Sequence, residues 1–556
     1  MPLTYDWRHE SVSRRTVLTH KSEEILVMAR VSALASREVR MKPRWLPRFC
    51  LITPLVLWSG LIWAQQPQYG GTLRIALPGD LTFFNAHQGP APGSNTAWVA
   101  NNIFNSLVTV TPPPEFKVVP ELAKSWEVLD GGRTYIFHLQ EGVMFHDGTD
   151  FDAKAAKWNF DRILDPKVKS WVQPYYEEIQ QVEAVDKDTL RVRMKEPSGA
   201  LLTALAGYFQ GIPMASPKSF ETYGEEWVRH PSGTGPYILK QWVPGEQVIL
   251  EKNPHYFKKG LPYLDTLEFQ VMKEPYGAAA WLRSGEVDFM ARVPIQQVFV
   301  LENTPNIQVV TGPEMAPVVA LLNMRVKPFD DVRARRAVGG YGIDRFKIAK
   351  VGFGGRAQPL VSVLASGVPD AIDLNDMYPY RPEEAKRLLK ELGFDETNPL
   401  TLSILVPNHE PTLADIGALI AHQLEKIGVR TQVTLLDAMA WVERVLGAHD
   451  FEMVVSNWAR LLDINMRSVS FFKGGASNYM GIDDPTLEAM VRQWRRALDP
   501  EERKRLSADM QRLIAEQLYW VNVTGYPVFQ AYRRYVKNYP FDNQAHLFME
   551  QVWLEQ

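Results

Sequence analysis

The side chains in this sequence that could do chemistry are arginines, carboxylates, histidines and aromatics, and their spacing favours recognition over reaction. No HExxH, GxSxG, Walker or calcium-loop pattern occurs in the 556 residues, so the motifs predict no nucleophile, zinc site or phosphate cradle. Asp463, Asp483 and Asp484 come nearest to paired carboxylates, but Asp483-Asp484-Pro485 reads better as a helix cap. His138 and His146 are eight apart across a loop, which is not a ligand spacing; His138 reads as the solvent side of a strand and His146 as part of a turn. What remains suits binding. The guanidinium groups of Arg356 and Arg460 could fork onto a carboxylate or phosphate, or could be ordinary surface arginines. Trp171, Tyr175, Tyr176 and Trp458 offer faces for stacking, although aromatics more often fill core. No catalytic residue, metal or cofactor is expected.

The elements that must position these groups are clearest between Pro120 and Ile163. Ser125 to Leu129 and Thr134 to Leu139 are short alternating runs around Asp130-Gly131-Gly132, residues that tolerate a hairpin's positive φ. A polar Phe145-His146-Asp147-Gly148-Thr149 turn follows, and Asp152 caps a helix whose Ala156, Phe160 and Ile163 share a face. A second hairpin is predicted from Val182 to Arg193 around Asp186-Lys187-Asp188, with strands at Val248–Leu250, Thr266–Met272 and Ile307–Val310 and a helix at Gly277–Arg283. Beyond Asn323, helix and strand alternate regularly. A helix starting at Pro382, a strand at Thr401, a helix at Thr412, a strand at Val429, a helix at Ala438 and a strand at Phe451 predict a mostly parallel, two-sided sheet. Asp484-Pro485 and Asp499-Pro500 begin two further helices, Tyr519 to Phe529 reads as strand, and Tyr532 to Gln556 as a tail without a core of its own.

The residues of these elements carry a resemblance. PELAKSWEV, TYIFHL and EGVMFHDGT in this order resemble family 5 of the extracytoplasmic solute-binding proteins, the receptors of peptide, nickel and related ATP-binding-cassette importers. Gly70 to Ala76 is similar to the family's first strand and Asn102 to Val108 to its first helix. Gly233-Thr234-Gly235-Pro236-Tyr237, Arg335-Arg336-Ala337 with Ile343-Asp344-Arg345, and Asn478-Tyr479-Met480-Gly481 follow in the family's order. The resemblance implies an α/β, two-lobe periplasmic-binding-protein-like fold (type II, cluster C). Lobe 1 would span 65–320 with an inserted subdomain at 111–232, lobe 2 would span 321–522, and 523–556 would return to lobe 1. The hinge would be two crossings, near Val318–Asn323 and Trp520–Phe529.

It also implies where a solute would bind: the loop Phe83 to His87 (Phe84, Asn85 and His87), the stretch Tyr341 to Arg356 (Tyr341 and Arg356), and Asn457 to Asp463 (Trp458, Arg460 and Asp463). Trp458 matches the family's cleft tryptophan. In peptide-binding members an aspartate three residues on takes the α-ammonium; here that position is Leu461, with Asp463 two residues further. An ammonium buried without a counter-charge costs several kcal/mol, so the departure argues against a solute held by a free α-amine, ordinary di- and tripeptides included, and Arg356 and Arg460 add the alternative of an anionic group; the expected solute is peptide-like or anionic. The implied partners are that solute and an inner-membrane permease, with a monomeric receptor and no nucleic acid. A secreted hydrolase would need a nucleophile and base that the motifs do not supply; a periplasmic chaperone or sensory receptor on the same fold is the other alternative.

Charge and the N-terminus bear on location. The formal charge is −3, but residues 1–64 hold ten Lys/Arg against five Asp/Glu, so the rest carries −8, the wrong sign for a nucleic-acid binder. Cys50 to Trp63 is an apolar run behind Lys42, Arg44 and Arg48, ending at Ala64; that is the layout of a signal peptide at 41–64, too short for a membrane span of ~20 residues. Cys50, the only cysteine, opens the run and is not placed for lipidation, so the mature chain has no thiol and a CxxC zinc site is excluded. Residues 1–40 read as a non-native extension before Met41, and the destination as a Gram-negative periplasm. N-terminal sequencing of the exported protein is expected to begin near Gln65; a mature chain that keeps residues 1–40 would overturn this reading.

Overall fold

The computed structural model describes residues 66–81, 83–87, 95–112, 115–206, 211–272, 277–312, 314–408, 410–458, 461–475, 477–541 and 547–556. The predicted extension (1–40), the signal segment (41–64) and Arg460 lie outside the described residues. Gln66–Gln556 forms one compact unit, and its sheets divide it into two lobes and a subdomain.

The first lobe is built on a seven-stranded sheet in the order Ile307–Thr311, Phe529–Arg533, Phe289–Met290, Thr72–Leu77, Thr266–Val271, Gln247–Lys252, Tyr237–Val243. Thr72–Leu77 runs parallel to both neighbours, and its Leu73, Ile75 and Leu77 are fully buried. Arg74 in this strand forks onto the buried Asp288, with Nη2 donating at 2.7 Å. The tail is held by the lobe it rejoins: Asn102 donates to the Leu547 carbonyl at 2.9 Å and accepts from Met549 N at 3.2 Å.

The subdomain is a four-stranded antiparallel sheet, Ala123–Leu129, Thr134–Leu139, Thr189–Met194, Ile179–Ala184. Its first hairpin turns where the sequence predicts, with Asp130, Gly131 and Gly132 all at positive φ. Asp152 caps Ala153–Leu164 by accepting from Lys154 N and Ala155 N.

The second lobe has a five-stranded sheet, Arg430–Leu436, Thr401–Pro407, Met453–Asn457, Pro317–Leu322, Asn522–Gly525. The first three strands are mutually parallel, as helix–strand alternation requires, and the last two pair antiparallel.

Three local expectations are corrected. Among the described residues the first helix is Asn95–Ala100, and Asn102 to Val108 is not helical. The carbonyls of Asn102 and Ile103 accept instead from Tyr237 N and Gly235 N, both at 2.8–2.9 Å. Pro317–Leu322 is a strand buried at all six positions and not a crossing; the outward crossing is the segment before it, between Thr311 and Pro317. Tyr519 to Phe529 is not one strand. Asn522–Gly525 ends in the second lobe and Phe529–Arg533 begins in the first, so the return crossing lies between Gly525 and Phe529.

The subdomain also touches the second lobe. Gly199 N donates to Arg495 O at 2.8 Å, and a Cβ on Gly199 would come within 1.8 Å of the Ala497 carbonyl oxygen. One apolar cluster runs through this contact, from Leu190, Val192 and Leu205 to Leu461, Trp494, Leu506 and Trp520.

The sequence motifs turn out to be joints between backbones. His146 N donates to Gly233 O, and His146 Nε2 lies 3.0 Å from Gly235 O. Arg345 donates to the carbonyls of Gly339, Gly340 and Asn522, and Arg335 to those of Phe329 and Gln517. A Cβ on Gly235 would lie 2.5 Å from the Ile103 carbonyl carbon and 2.7 Å from Asn102 O. Gly235→Ala is therefore expected to destabilise the protein by about 3 kcal/mol through overpacking, read as a lower thermal midpoint; an unchanged midpoint would show that this joint can yield.

Candidate functional site

Because the chain joins the lobes only twice, the surfaces beside the two crossings are where a small molecule can be gripped from both sides. Charged side chains meet across that seam. Arg292, two residues past the Phe289–Met290 strand of the first lobe, pairs at 2.7 Å with Glu410, which precedes the Pro411–Glu425 helix of the second. Tyr526, in the return crossing, hydrogen-bonds Arg292 through its hydroxyl, and its ring centroid lies 5.4 Å from the guanidinium. Arg356, just after the Arg345–Gly352 helix, forks onto Glu302 at the end of Ile295–Glu302, at 2.9 and 2.6 Å. The crossings also touch each other: Tyr526 N donates to Ala316 O at 2.8 Å. Glu314 accepts from Gln358 N at 2.9 Å, and burial pushes its pKa up to about 7.

A second group is assembled around Trp458. The residue follows the Met453–Asn457 strand, and its N–H donates to Pro317 O at 3.0 Å, which places it at the base of the outward crossing. Its ring centroid lies 5.4 Å from that of Trp520 and 5.7 Å from that of Tyr479. The Arg467 guanidinium sits 4.0 Å from the Trp520 centroid and 5.9 Å from that of Trp458. Arg467 is 3% exposed, and burial brings its pKa down to about 9. The subdomain reaches the same place, since Tyr175 donates through its hydroxyl to Met466 O at 3.0 Å. A guanidinium between aromatic faces in a dry setting suits a flat anionic group.

Of the expected site residues, only Trp458 falls in this group. His87 is fully buried; its Nε2 is 2.7 Å from Asn159 Oδ1, its Nδ1 accepts from Arg162 at 3.2 Å, and burial takes its pKa down to about 3. Both ring nitrogens are thus committed to the subdomain's Ala153–Leu164 helix. Tyr341 packs edge-on against Tyr378 on the far face of the second lobe's sheet. Arg356 has its fork filled by Glu302. Asp463 accepts from Asn465 N at 2.9 Å, lies 3.8 Å from Arg503 and hydrogen-bonds Thr203 of the subdomain, so its carboxylate is engaged by the second lobe and the subdomain together. Phe84 and Asn85 line a cavity of about 320 Å³ between the first lobe and its subdomain, floored by Glu121, Lys258 and Glu550. Trp458 and the seam residues do not line it. Sequence reasoning flagged Tyr175 but missed Arg467, Trp520, Arg292, Glu410, Tyr526 and Glu314; each is a single residue without a local pattern.

Comparison with known proteins agrees with this architecture. The family model for "Bacterial extracellular solute-binding proteins, family 5 Middle" matches residues 117–478. The glutathione-binding protein GsiB of Escherichia coli K12 is 31% identical over 425 residues, covering 73% of this chain and 80% of the relative. Among solved structures, the Bacillus subtilis oligopeptide-binding protein AppA, in complex with a nonapeptide, superposes with a TM-score of 0.78 at 22% identity, covering 88% of this chain and all of that one. AgaA from A. tumefacien R10, in complex with agropinic acid, gives 0.77 at 24%, covering 87% and 99%.

The site's titrating groups make a pH prediction. Glu314 binds its proton more tightly when folded than at its ordinary value of 4.5, so its contribution is complete below that value and is lost as pH rises through about 7. His87 and His146, lowered by burial to about 3 and about 4, act oppositely: their contribution is present above about 6.5 and lost on acidification. Comparing Glu314→Gln with wild type cancels the histidines. Between about pH 5 and about pH 8 the stability difference is expected to move by roughly 2 kcal/mol in the variant's favour, allowing for partial exposure. Urea unfolding at the two pH values measures it, and a constant difference would mean that Glu314 is well solvated.

Proposed function

This chain belongs to family 5 of the bacterial extracellular solute-binding proteins, and from that premise we propose that it captures a small peptide-like or anionic solute between its lobes. It hands the closed complex to an inner-membrane ATP-binding-cassette permease. It works in the periplasm, as a monomer, by binding without chemistry. The observation that carries this reading is the pairing of a two-crossing hinge with recognition groups at its base. Trp458, Trp520 and Arg467 come from the second lobe, Tyr175 from the subdomain, and Arg292 from the first lobe. Stacking from the tryptophans would hold a flat group, and Arg467 would favour a carboxylate. The names of relatives support the class: they include a glutathione-binding protein, a complex with a nonapeptide and a complex with agropinic acid.

Solute can favour closure only through contacts it makes better in the closed arrangement, so the contacts must come from both lobes. Native mass spectrometry of protein taken from the periplasm identifies the co-purifying solute, and calorimetry with glutathione tests the class directly. Trp458→Ala is expected to weaken binding of that solute by ~2–4 kcal/mol, as for a buried aromatic anchor, with the thermal midpoint little changed. X-ray scattering is expected to show wild type compacting on addition of solute; equal compactness with and without it would overturn capture by closure.

A further inference from the structure

The cavity of about 320 Å³ between the first lobe and its subdomain is separate from the seam. Every described residue that lines it comes from the first lobe, the subdomain or the tail, and none from the second lobe. We propose that this cavity is a further binding site, for an uncharged, mostly apolar molecule of one or two rings that carries a hydrogen-bond acceptor. The inference does not depend on what is captured between the lobes.

The walls set the body of the ligand. Phe84, Phe104, Val108, Val110 and Met549 are buried apolar side chains that line the space, and a dry apolar cavity of roughly 150 Å³ already holds a benzene ring. The polar groups set the rest. Asn102 Nδ2 donates to the carbonyls of Trp98 and Leu547 at 3.1 and 2.9 Å, and its Oδ1 accepts from Met549 N. Asn105 donates to Glu121 at 2.9 Å and accepts from Thr234 at 3.0 Å. Glu550 accepts from Tyr256 at 2.6 Å and from Lys258 at 3.1 Å, and Lys258 lies 3.6 Å from Glu121. These groups close on one another. Asn101 Nδ2, which also lines the cavity, is buried and has no partner among the described residues. A buried donor left unmet is destabilising until an acceptor reaches it. A water in that place needs further partners, and the amides of Asn102 and Asn105 are already engaged. Charge narrows the class. Glu121 and Glu550 share the single cation Lys258, so a carboxylate is disfavoured. An ammonium brings only donors and offers Asn101 Nδ2 nothing to donate to. What fits is a neutral ligand with an apolar body and an oxygen or nitrogen lone pair.

The test uses the full exported protein with carbon-13 in its methionine methyl groups and three probes: acetophenone, ethylbenzene and benzoate. Met549 lines the cavity, whereas Met466 accepts from Tyr175 in the group around Trp458. Acetophenone is expected to shift the Met549 signal saturably and to leave Met466 unmoved. Ethylbenzene, of nearly the same shape without the acceptor, is expected to bind about fivefold more weakly, and benzoate not to shift Met549. Asn101→Leu is expected to bring acetophenone and ethylbenzene level while both still shift Met549. Val119→Trp, at a half-buried residue of the cavity wall, is expected to abolish both shifts by filling the space. The proposal is overturned if acetophenone leaves Met549 unmoved or shifts Met466 instead, if benzoate binds as well as acetophenone, if the preference for acetophenone survives in Asn101→Leu, or if binding is undiminished in a folded Val119→Trp. The methionine readout on wild type needs no variant, so the outcome is decisive even where Val119→Trp does not fold.

Discussion

Everything the two lobes do to each other is constrained by how little chain joins them. One crossing lies between Thr311 and Pro317 and the other between Gly525 and Phe529, so the relative position of the lobes is set by side chains that meet across the seam. The Arg292–Glu410 pair, with Tyr526 beneath it, is the central contact, and the Arg356–Glu302 fork is the second. Partly buried ion pairs add little net stability, but losing one partner leaves an uncompensated charge, so they specify a geometry more than they strengthen it. The pairs hold residues of opposite lobes in register beside the return crossing, where Tyr526 lies.

The family's sequence signature does not report what is bound, for a physical reason. Its motifs close backbone joints: His146 and Gly235 tie the subdomain to the first lobe, Arg335 and Arg345 collect carbonyls in the second, and Asn478 bonds Phe472 O and both backbone groups of Ile482. Such positions tolerate few residues whatever the solute, because an unmet buried carbonyl or an added Cβ is destabilising in any member. Arg467, stacked between Trp458 and Trp520, belongs to no such motif.

That division also explains what could be read in advance. Local physics wrote the Asp130-Gly131-Gly132 hairpin, the Asp152 cap and the Pro382–Glu391 helix, since each depends on residues within one turn or strand. The Tyr519 to Phe529 run misled because its apolar, β-branched composition is the same on both sides of a lobe boundary, and only long-range pairing splits it. Arg356 and Asp463 misled for the complementary reason: a charged residue advertises its chemistry but not its partner, and Glu302 and Arg503 are remote in sequence. Trp458 was singled out only through the resemblance, since nothing in its local sequence distinguishes it from a core tryptophan.

The contact at Gly199 limits how closely the subdomain and the second lobe can approach. There the subdomain and the second lobe meet backbone against backbone, with no side chain between Gly199 and the Ala497 carbonyl to compress or swing aside. Such a contact cannot be tightened by turning a rotamer, so the spacing between the subdomain and the second lobe has a floor set here by the main chain, independently of any side chain.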